Sequence, residues 1–372
     1  MGPYLDIKPP EYCFDPAPLD TDYASKNHFP FLRAALTENI HGLEHSNCFN
    51  PRDMGLPWPT TFPAAVQSQH WREAQEAVRE LMEQIHSTAR IKDHETKQCD
   101  NVYDEKRRKR DLLIIDTAAS SAISLFPAAN GTQARTLAKA TLLGANILKE
   151  VVDEIQSLPD ELAKYQGPWK NPIFQEFVGE CVRENSAAGL QVVQGLLMWT
   201  KHTLDHPPKE VEFSSWSEYV NYRIRDSLVL AASGMLQFSC GISVPESERR
   251  PFEAMYRLFM MHLSLTNDLY SYEKERLEAE KEGVTAVNGV QVLSRFLIVP
   301  SQTAKNILRQ IILDLERQLH HVYDGHVQAG KLSDRQLRYA RSMLEGLSGN
   351  LFGSSTQARY ARVVPGTRLT NV

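Results

Sequence analysis

Hydrophobic positions recur at steps of three and four residues over most of the chain, which is the period of an amphipathic helix. In the clearest stretch, Gln67–Ile85, the apolar positions are Trp71, Ala74, Val78, Leu81, Met82 and Ile85. The same period predicts further helices at Leu112–Phe126, Gln133–Ile155, Ile173–Thr203, Ser215–Phe238, Ser247–Glu282, Val290–Phe296, Ser301–Gly325 and Ser333–Leu351. The alternation typical of half-buried strands is nearly absent. The pattern therefore predicts an all-α protein.

The first 65 residues follow a different pattern, rich in proline, aspartate and asparagine. This composition predicts an extended segment with one short helix within Phe29–Glu44. Length alone favours two or three domains, but no linker or repeat divides residues 65–360. We therefore predict an N-terminal arm (1–56) and one all-α domain (57–372).

Single residues predict where helices begin, end or bend. Ser333 is expected to open the last long helix with a capping box. Gly325 and Gly330 are expected to flank a break, and Gly234 to kink its helix.

Composition excludes several classes of protein. Lys and Arg total 41 against 46 Asp and Glu, a net charge of −5, which argues against a broad nucleic-acid surface. The chain has neither the long apolar stretch of a membrane span nor the N-terminal pattern of a secretory signal. Five dispersed cysteines without a Cys-x-x-Cys pair predict reduced thiols. We expect a cytoplasmic monomer or homodimer with neither nucleic acid nor a membrane as partner.

A polar stretch in the predicted helix Ser247–Glu282 carries chemistry: Asn267-Asp-Leu-Tyr-Ser271-Tyr-Glu-Lys274-Glu275. Successive helical residues turn by about 100°, so Asn267, Ser271 and Glu275 share one face. Their amide, hydroxyl and carboxylate oxygens are hard ligands that suit Mg²⁺. Lys274 lies beside them as a cation for a phosphate oxygen. By residue type alone, an ordinary solvated helix end is the more frequent interpretation.

Two further segments carry groups that bind phosphate. Arg223 is followed one helical turn later by Asp226, and a guanidinium held by a carboxylate grips phosphate well. A surface ion pair of little energetic value is the alternative. Near the end of the chain, Gly349-Asn precedes the pair Arg359-Tyr360. Each signal is weak alone.

Taken together and in this order, the three segments resemble the class I terpene synthases, and in particular the fungal sesquiterpene cyclases, over roughly residues 57–365. The stretch Asn267-Ser271-Glu275 is similar to a metal-binding motif of that family. The resemblance implies the family's all-α helical bundle and up to three Mg²⁺ ions.

The resemblance also implies roles for the remaining residues. Arg223 would sense the diphosphate, with Asp226 as linker and Ser227 as effector of ionisation. The expected diphosphate-binding residues are Arg223, Lys274, Arg359 and Tyr360.

The family's other metal motif is an Asp-rich run, and this chain contains no Asp-Asp pair. One alternative is the acidic face Glu150, Asp153 and Glu154, which follows an apolar helix where the family places its motif. The other is Asp100 with Asp104, in a charged stretch where a solvated loop is the simpler interpretation. Position favours the first set as metal ligands.

The implied activity is that of a lyase of secondary metabolism. It would ionise farnesyl diphosphate, cyclise the cation and release diphosphate, giving a hydrocarbon or a terpene alcohol. The divergent fungal humulene-type synthases make humulene a candidate product. The expected cavity residues are Phe238, Phe259, Met260, Met261, Tyr270 and Phe352. The alternatives are a diterpene cyclase, a prenyltransferase or a non-catalytic helical protein derived from a cyclase.

Overall fold

The computed structural model describes residues 7–8, 23, 27–93, 101–146, 169–205, 212–226 and 229–361. Its helices, numbered in chain order, are α1 Pro30–Ala34, α2 Trp71–Asp93, α3 Asn101–Leu125, α4 Gly131–Asn146, α5 Pro172–Glu184, α6 Ser186–Asp205, α7 Trp216–Asp226, α8 Val229–Ser239, α9 Glu246–Arg249, α10 Glu253–Glu282, α11 Gly289–Leu297, α12 Ser301–Gln328, α13 Asp334–Thr356 and α14 Ala358–Ala361. The predicted helical fold is confirmed.

The periodic apolar positions form the interior, as the helix period requires. In α2, Ala74, Val78 and Leu81 are buried at steps of four and three. Helix α10 lies at the centre and contacts α7, α8, α11, α12, α13 and α14. The site therefore rests on a helix that is supported from several sides.

The ends of the elements follow local chemistry, with some shifts from the prediction. The capping box of Ser333 is confirmed. Helix α12 continues past Gly325 to Gln328, and the chain turns at Gly330, which has a φ of 62°. Predicted helix Ser247–Glu282 is broken by a 3-10 turn at Arg250–Phe252, since Pro251 cannot continue a helical hydrogen-bond ladder.

Helix α8 runs through Gly234 without a break. A Cβ atom at Gly234 would lie 2.6 Å from the backbone of Gln191 in α6. The glycine therefore serves close packing between α6 and α8 rather than the kink that the sequence predicts.

Strands β1 (Ser46–Phe49) and β2 (Ala65–Ser68) form an antiparallel ribbon that the sequence pattern did not predict. Strand β2 is entirely buried and packs against α3 and α13. Burial on both faces removes the alternation by which a strand is recognised. This ribbon lies over the two helices that form one wall of the site.

Residues on both sides of position 57 share one hydrophobic core. Phe29, Leu32 and Phe49 belong to it together with Trp58 and Phe62. A buried carboxylate adds a polar tie, because Glu316 of α12 accepts hydrogen bonds from the Thr61 backbone at 2.6 Å and from the hydroxyls of Thr60 and Thr61 at 2.8 Å. The described part of the N-terminal segment thus packs as a layer of the helical bundle.

No helix in the described ranges combines the length and the apolar character that a membrane crossing needs.

Candidate active site

Helix α10 presents the three expected metal ligands on one face. Its apolar first half reaches the cavity at Phe259 and Leu263, and the polar stretch begins at Asn267, which also lies on the cavity wall. Ser271 is buried, and its hydroxyl has no hydrogen-bond partner among the described residues. Buried serines in helices ordinarily bond to a carbonyl one turn earlier, as Ser342 and Ser355 do. The unused Ser271 oxygen is therefore available to a ligand.

Asn267 joins the three sequence segments at one side chain. Its Oδ1 accepts a hydrogen bond of 2.8 Å from Nη2 of Arg223, on α7. Its Nδ2 donates a hydrogen bond of 2.7 Å to the Tyr360 hydroxyl, on α14. Segments that are far apart in the chain thus meet at the amide of the expected metal ligand.

Asp268 fixes Arg223 in this arrangement. Nε of Arg223 donates to Asp268 Oδ1 at 2.7 Å, the Tyr219 hydroxyl donates to the same carboxylate, and the Gly289 backbone donates at 3.1 Å. Burial lowers the pKa of the Arg223 guanidinium, but the charges of Asp268 and Glu275 outweigh burial and the pKa is raised. Arg223 is therefore a permanent cation held beside the α10 motif.

Asn288 positions Glu275, the third expected ligand. Its Nδ2 donates to Glu275 Oε2 and to the Asp268 backbone carbonyl, both at 2.9 Å. Its Oδ1 accepts from the Val290 backbone at 2.9 Å and caps α11. One buried side chain thereby connects the start of α11 to the carboxylate of Glu275.

A cavity of about 200 Å³ opens beside Asn267 and Tyr360, between α3, α8, α10 and α13. Its lining residues are Ser121, Leu125, Phe126, Ala232, Met235, Phe259, Leu263, Ser264, Asn267, Asn350, Ser354, Gln357 and Tyr360. The arrangement places polar ligands at the edge of a mainly apolar chamber.

Comparisons with known proteins agree with this geometry. A family model described as terpene synthase family 2, C-terminal metal binding, matches residues 98–318. The chain belongs to the class I terpene synthases. Terpene cyclase aneC of Aspergillus aculeatus is 28% identical over 367 residues, which cover 95% of this chain and 82% of that protein. Terpene cyclase 6 of Gibberella fujikuroi is 26% identical over 370 residues, 96% of each chain.

Solved structures show the same fold. The crystal structure of aristolochene synthase from Penicillium roqueforti matches with a TM-score of 0.53 and 16% identity, covering 75% of this chain and 95% of that one. As a terpene synthase, the protein is a lyase that acts on prenyl diphosphates.

The ligand set of this terpene synthase fits a divalent cation. An amide oxygen, a carboxylate and a buried hydroxyl without a partner are the donors that hard cations take. The described residues contain no group of three His, Cys, Asp or Glu side chains that would hold a metal. The Asn267-Ser271-Glu275 face is a different kind of set, because Asn and Ser supply two of its three oxygen groups.

The other two expected diphosphate ligands, Lys274 and Arg359, differ in their surroundings. Lys274 is paired with an acid, and Arg359 is exposed to solvent. Nζ of Lys274 pairs with Glu278 at 2.5 Å. The side chain of Arg359 is exposed beside buried Tyr360. To bind a phosphate oxygen as the sequence predicts, Lys274 would have to leave Glu278, whereas the side chain of Arg359 already lies in solvent.

Several sequence predictions lie outside the described residues. These are Ser227, the side chain of Asp226, and the acids Glu150, Asp153, Glu154, Asp100 and the side chain of Asp104. Residues 101–111 belong to helix α3 rather than to the expected loop.

Five of the six expected cavity residues lie away from the cavity wall described above; Phe259 is on it. Phe352 packs edge-to-face on Phe49 at 4.9 Å, since it lies two residues from Asn350 and thus on another face of α13. The Tyr270 hydroxyl accepts from Arg309 at 3.3 Å. The other three pack in or against the core: Phe238, Met260 and Met261.

Sequence reasoning missed the residues that support this terpene synthase site: Tyr219, Asp268 and Asn288. Asp268 stands next to Asn267 in the quoted motif, and Tyr219 stands one turn before Arg223. An arginine that must stay buried needs a carboxylate acceptor, and this requirement is the signal that points to Asp268. Asn288 lies in a loop, and the sequence offers no comparable signal for it.

Proposed function

We propose that the protein is a sesquiterpene cyclase that ionises farnesyl diphosphate with Mg²⁺ and cyclises the resulting cation. The observation that carries this proposal is the meeting of Arg223, Asn267 and Tyr360 at the edge of the cavity. A guanidinium cation, an expected metal ligand and a phenol hydroxyl thus lie together. The diphosphate of a substrate with its tail in the cavity would lie beside them.

The metal ligands in the proposal are Asn267, Ser271 and Glu275, with Glu150, Asp153 and Glu154 as the second set. Bound Mg²⁺ supplies neutralisation of the charge that develops on the leaving diphosphate.

The chain's own residues perform the remaining work. Arg223 binds diphosphate oxygens through its guanidinium N–H groups while Asp268 keeps the guanidinium in place. Tyr360 donates its hydroxyl, and Lys274 and Arg359 add positive charge at the rim. After ionisation, the faces of Phe126 and Phe259 stabilise the cation, and the apolar part of the cavity wall limits its contact with water. Humulene remains one candidate product.

For the setting of this reaction we propose the cytoplasm, with a prenyl diphosphate as small-molecule partner and with the protein as monomer or homodimer.

The deciding experiment is incubation with farnesyl diphosphate and Mg²⁺, with diphosphate release and volatile products measured by phosphate assay and gas chromatography–mass spectrometry. Geranyl and geranylgeranyl diphosphate serve as chain-length comparisons, and EDTA as the metal control. We expect a cyclic fifteen-carbon product that EDTA abolishes. Absence of both diphosphate and volatiles with all three substrates would reject the enzyme, and a preference for another chain length would reject farnesyl diphosphate.

The upstream acids are tested by comparing Asp153→Asn with Asp104→Asn. If Asp153 is a metal ligand, its replacement lowers turnover by orders of magnitude, while Asp104→Asn stays near wild type. The reverse result would assign the second metal site to the start of α3.

A further inference from the structure

Tyr360 lies on a helix that cannot hold its position unaided. Helix α14 comprises four residues, Ala358–Ala361, and an isolated helix of this length is unstable in water. The Tyr360 hydroxyl nevertheless accepts a hydrogen bond of 2.7 Å from Nδ2 of Asn267. Contacts with neighbouring helices must therefore fix Tyr360, and α14 contacts α3, α10 and α13.

Gln357 is the residue that connects α13 to α14. It is buried, and its backbone is extended, with φ −68° and ψ 126°. Its carbonyl oxygen accepts a hydrogen bond of 3.1 Å from the Tyr360 backbone. Its side-chain Nε2 donates to the Ser121 hydroxyl of α3 at 3.3 Å. One residue thus holds Tyr360 with its main chain and α3 with its side chain.

The bond between Gln357 and Ser121 lies at the edge of the cavity, since both side chains are on the cavity wall. Gln357 is only 7% exposed, and a buried amide that loses its partner is unfavourable. The bond is therefore favoured in the folded protein. It ties the junction of α13 and α14 to a third helix, so the direction of α14 does not depend on α13 alone.

The Asn267 amide is held from both ends, and Tyr360 holds one of them. Arginine only donates hydrogen bonds, so the bond of 2.8 Å from Nη2 of Arg223 identifies Oδ1 as the atom that faces Arg223. Nδ2 then faces the Tyr360 hydroxyl. Oδ1 is the oxygen that the proposed metal site requires. A displaced Tyr360 would leave the amide held at one end only.

Resting on the proposed function, we propose that Gln357 is a positioning residue for the active site, which sets the Tyr360 hydroxyl against Asn267 by tying the α13–α14 junction to α3. Its effect on the reaction passes through Tyr360. Without the Gln357 amide, α14 can shift, and the hydroxyl then misses Asn267 and the diphosphate. A misplacement of about 1 Å in a site can lower a rate by about 100-fold.

Gln336 provides a matched control at the other end of α13. Its Oε1 accepts from the Ser333 backbone at 3.0 Å, and its Nε2 donates to the Glu248 carbonyl at 3.1 Å. It lies about 30 Å from Gln357 along the helix axis at 1.5 Å per residue. Replacing either glutamine by leucine removes a bonded amide from the same region of the fold, but of these two only Gln357 is joined to Tyr360.

The test is a double-mutant cycle in the full chain, with farnesyl diphosphate and Mg²⁺ and with diphosphate release as the measured rate. Gln357→Leu and Tyr360→Phe should each lower kcat/KM by about tenfold or more. Combined, they should lower it by no more than about twofold beyond Tyr360→Phe alone, because the effects of coupled residues are not additive. Ser121→Ala should act in the same direction as Gln357→Leu by a smaller factor, and Gln336→Leu should keep the wild-type value.

A second measurement does not depend on turnover. Mg²⁺ with inorganic diphosphate stabilises the folded protein to a degree set by their affinity for it, and thermal melting measures this shift. The shift should be smaller in Gln357→Leu and Ser121→Ala than in the wild type, and unchanged in Gln336→Leu.

Three results overturn the inference while the proposed function stands: an unchanged kcat/KM in Gln357→Leu, additive losses in the double variant, or a wild-type melting shift in both Gln357→Leu and Ser121→Ala. If Gln357→Leu does not fold, the cycle is run with Ser121→Ala, which removes one hydroxyl. Absence of diphosphate release from the wild type rejects the proposed function and, with it, the inference.

Discussion

The buried hydroxyl of Ser271 is expected to have opposite effects on stability in the metal-free and the metal-bound enzyme. Without a cation, its oxygen has no hydrogen-bond partner among the described residues, which costs folding free energy. In the proposed metal-bound state, the same oxygen would be a ligand. A residue that only completed the packing of α10 would not show this reversal.

Ser271→Ala is therefore expected to leave the metal-free protein as stable as the wild type or more stable by about 1 kcal/mol. The stabilisation that Mg²⁺ and diphosphate confer should fall, because ligand-linked stabilisation depends on affinity for the folded state. Thermal melting with and without these ligands measures both effects. Ser342→Ala is the matched control, since that hydroxyl donates to the Tyr339 carbonyl at 2.7 Å. A metal response equal to that of wild type in Ser271→Ala would exclude the serine as a ligand.

Asp268 is a positioning residue whose charge matters for folding as well as for the site. Asp268→Asn leaves the largely buried Arg223 without its counter-charge, and loss of one partner of a buried pair costs about 3 kcal/mol. Urea unfolding measures the change. Glu278→Gln, which removes the exposed partner of Lys274, should change stability by less than about 1 kcal/mol. Equal effects of the two substitutions would contradict the assigned role of Asp268.

Helices α3 and α13 approach each other so closely that glycine is required between them. A Cβ atom at Gly349 would lie 2.1 Å from the Ser124 carbonyl oxygen and 2.4 Å from that of Val66 in β2. Both atoms are backbone, so neither can turn aside. The contact fixes the distance between two helices that line the cavity.

Gly349→Ala should destabilise the fold by about 3 kcal/mol, as overpacking does where backbone must move. Gly325→Ala makes the matched control, because nothing lies within 4 Å of the added methyl group in α12. That control should be neutral or stabilising by about 0.5–1 kcal/mol, the propensity gain in a helix. Chemical denaturation measures the free energy of unfolding of both variants. Similar values would show that the α3–α13 contact tolerates an added methyl group.

At this scale the sequence predicted the helices well and their junctions less well. The period of three and four residues locates α2, α10 and α13 because burial on one face imposes it. It missed β2, which is buried on both faces, and it ran α5 and α6 together across Asn185, where the backbone becomes extended. For the site, the spacing within α10 was readable, whereas the bonds of Asn288 and Asp268 depend on tertiary contacts.

At the scale of the whole molecule, the described part of the N-terminal segment packs on α12 through aromatic and imidazole rings. His320 contacts His28 and Phe29 with ring centroids 5.1 and 5.2 Å apart. Burial lowers the pKa of His28, and His320 and Arg317 add to the effect while Glu316 opposes it. Burial also lowers the pKa of His320, with Asp324 opposing.

Stability should therefore fall as the pH drops below about 6.5, the ordinary histidine pKa. In this range the unfolded chain takes up protons before the folded chain does, so acid favours unfolding until the pH passes below the folded pKa values. Well above this value, from about pH 7.5 upward, both rings are almost entirely neutral in both states and contribute little slope. Urea unfolding between pH 5 and 7.5 checks this, and His28→Gln with His320→Gln should flatten the slope. A slope that survives the double substitution would place its origin elsewhere.

The glycine contact of α13 also bears on how such an enzyme acquires new products. Since the backbone of this helix is held by α3 on one side and β2 on another, substitutions at its cavity-lining residues Asn350 and Ser354 change the shape and polarity of the chamber without shifting the helix. Selection can thus vary these two residues one at a time on a fixed backbone. They are therefore a favourable place to start directed evolution of product identity, whereas changes at Gly349 would alter the whole chamber at once.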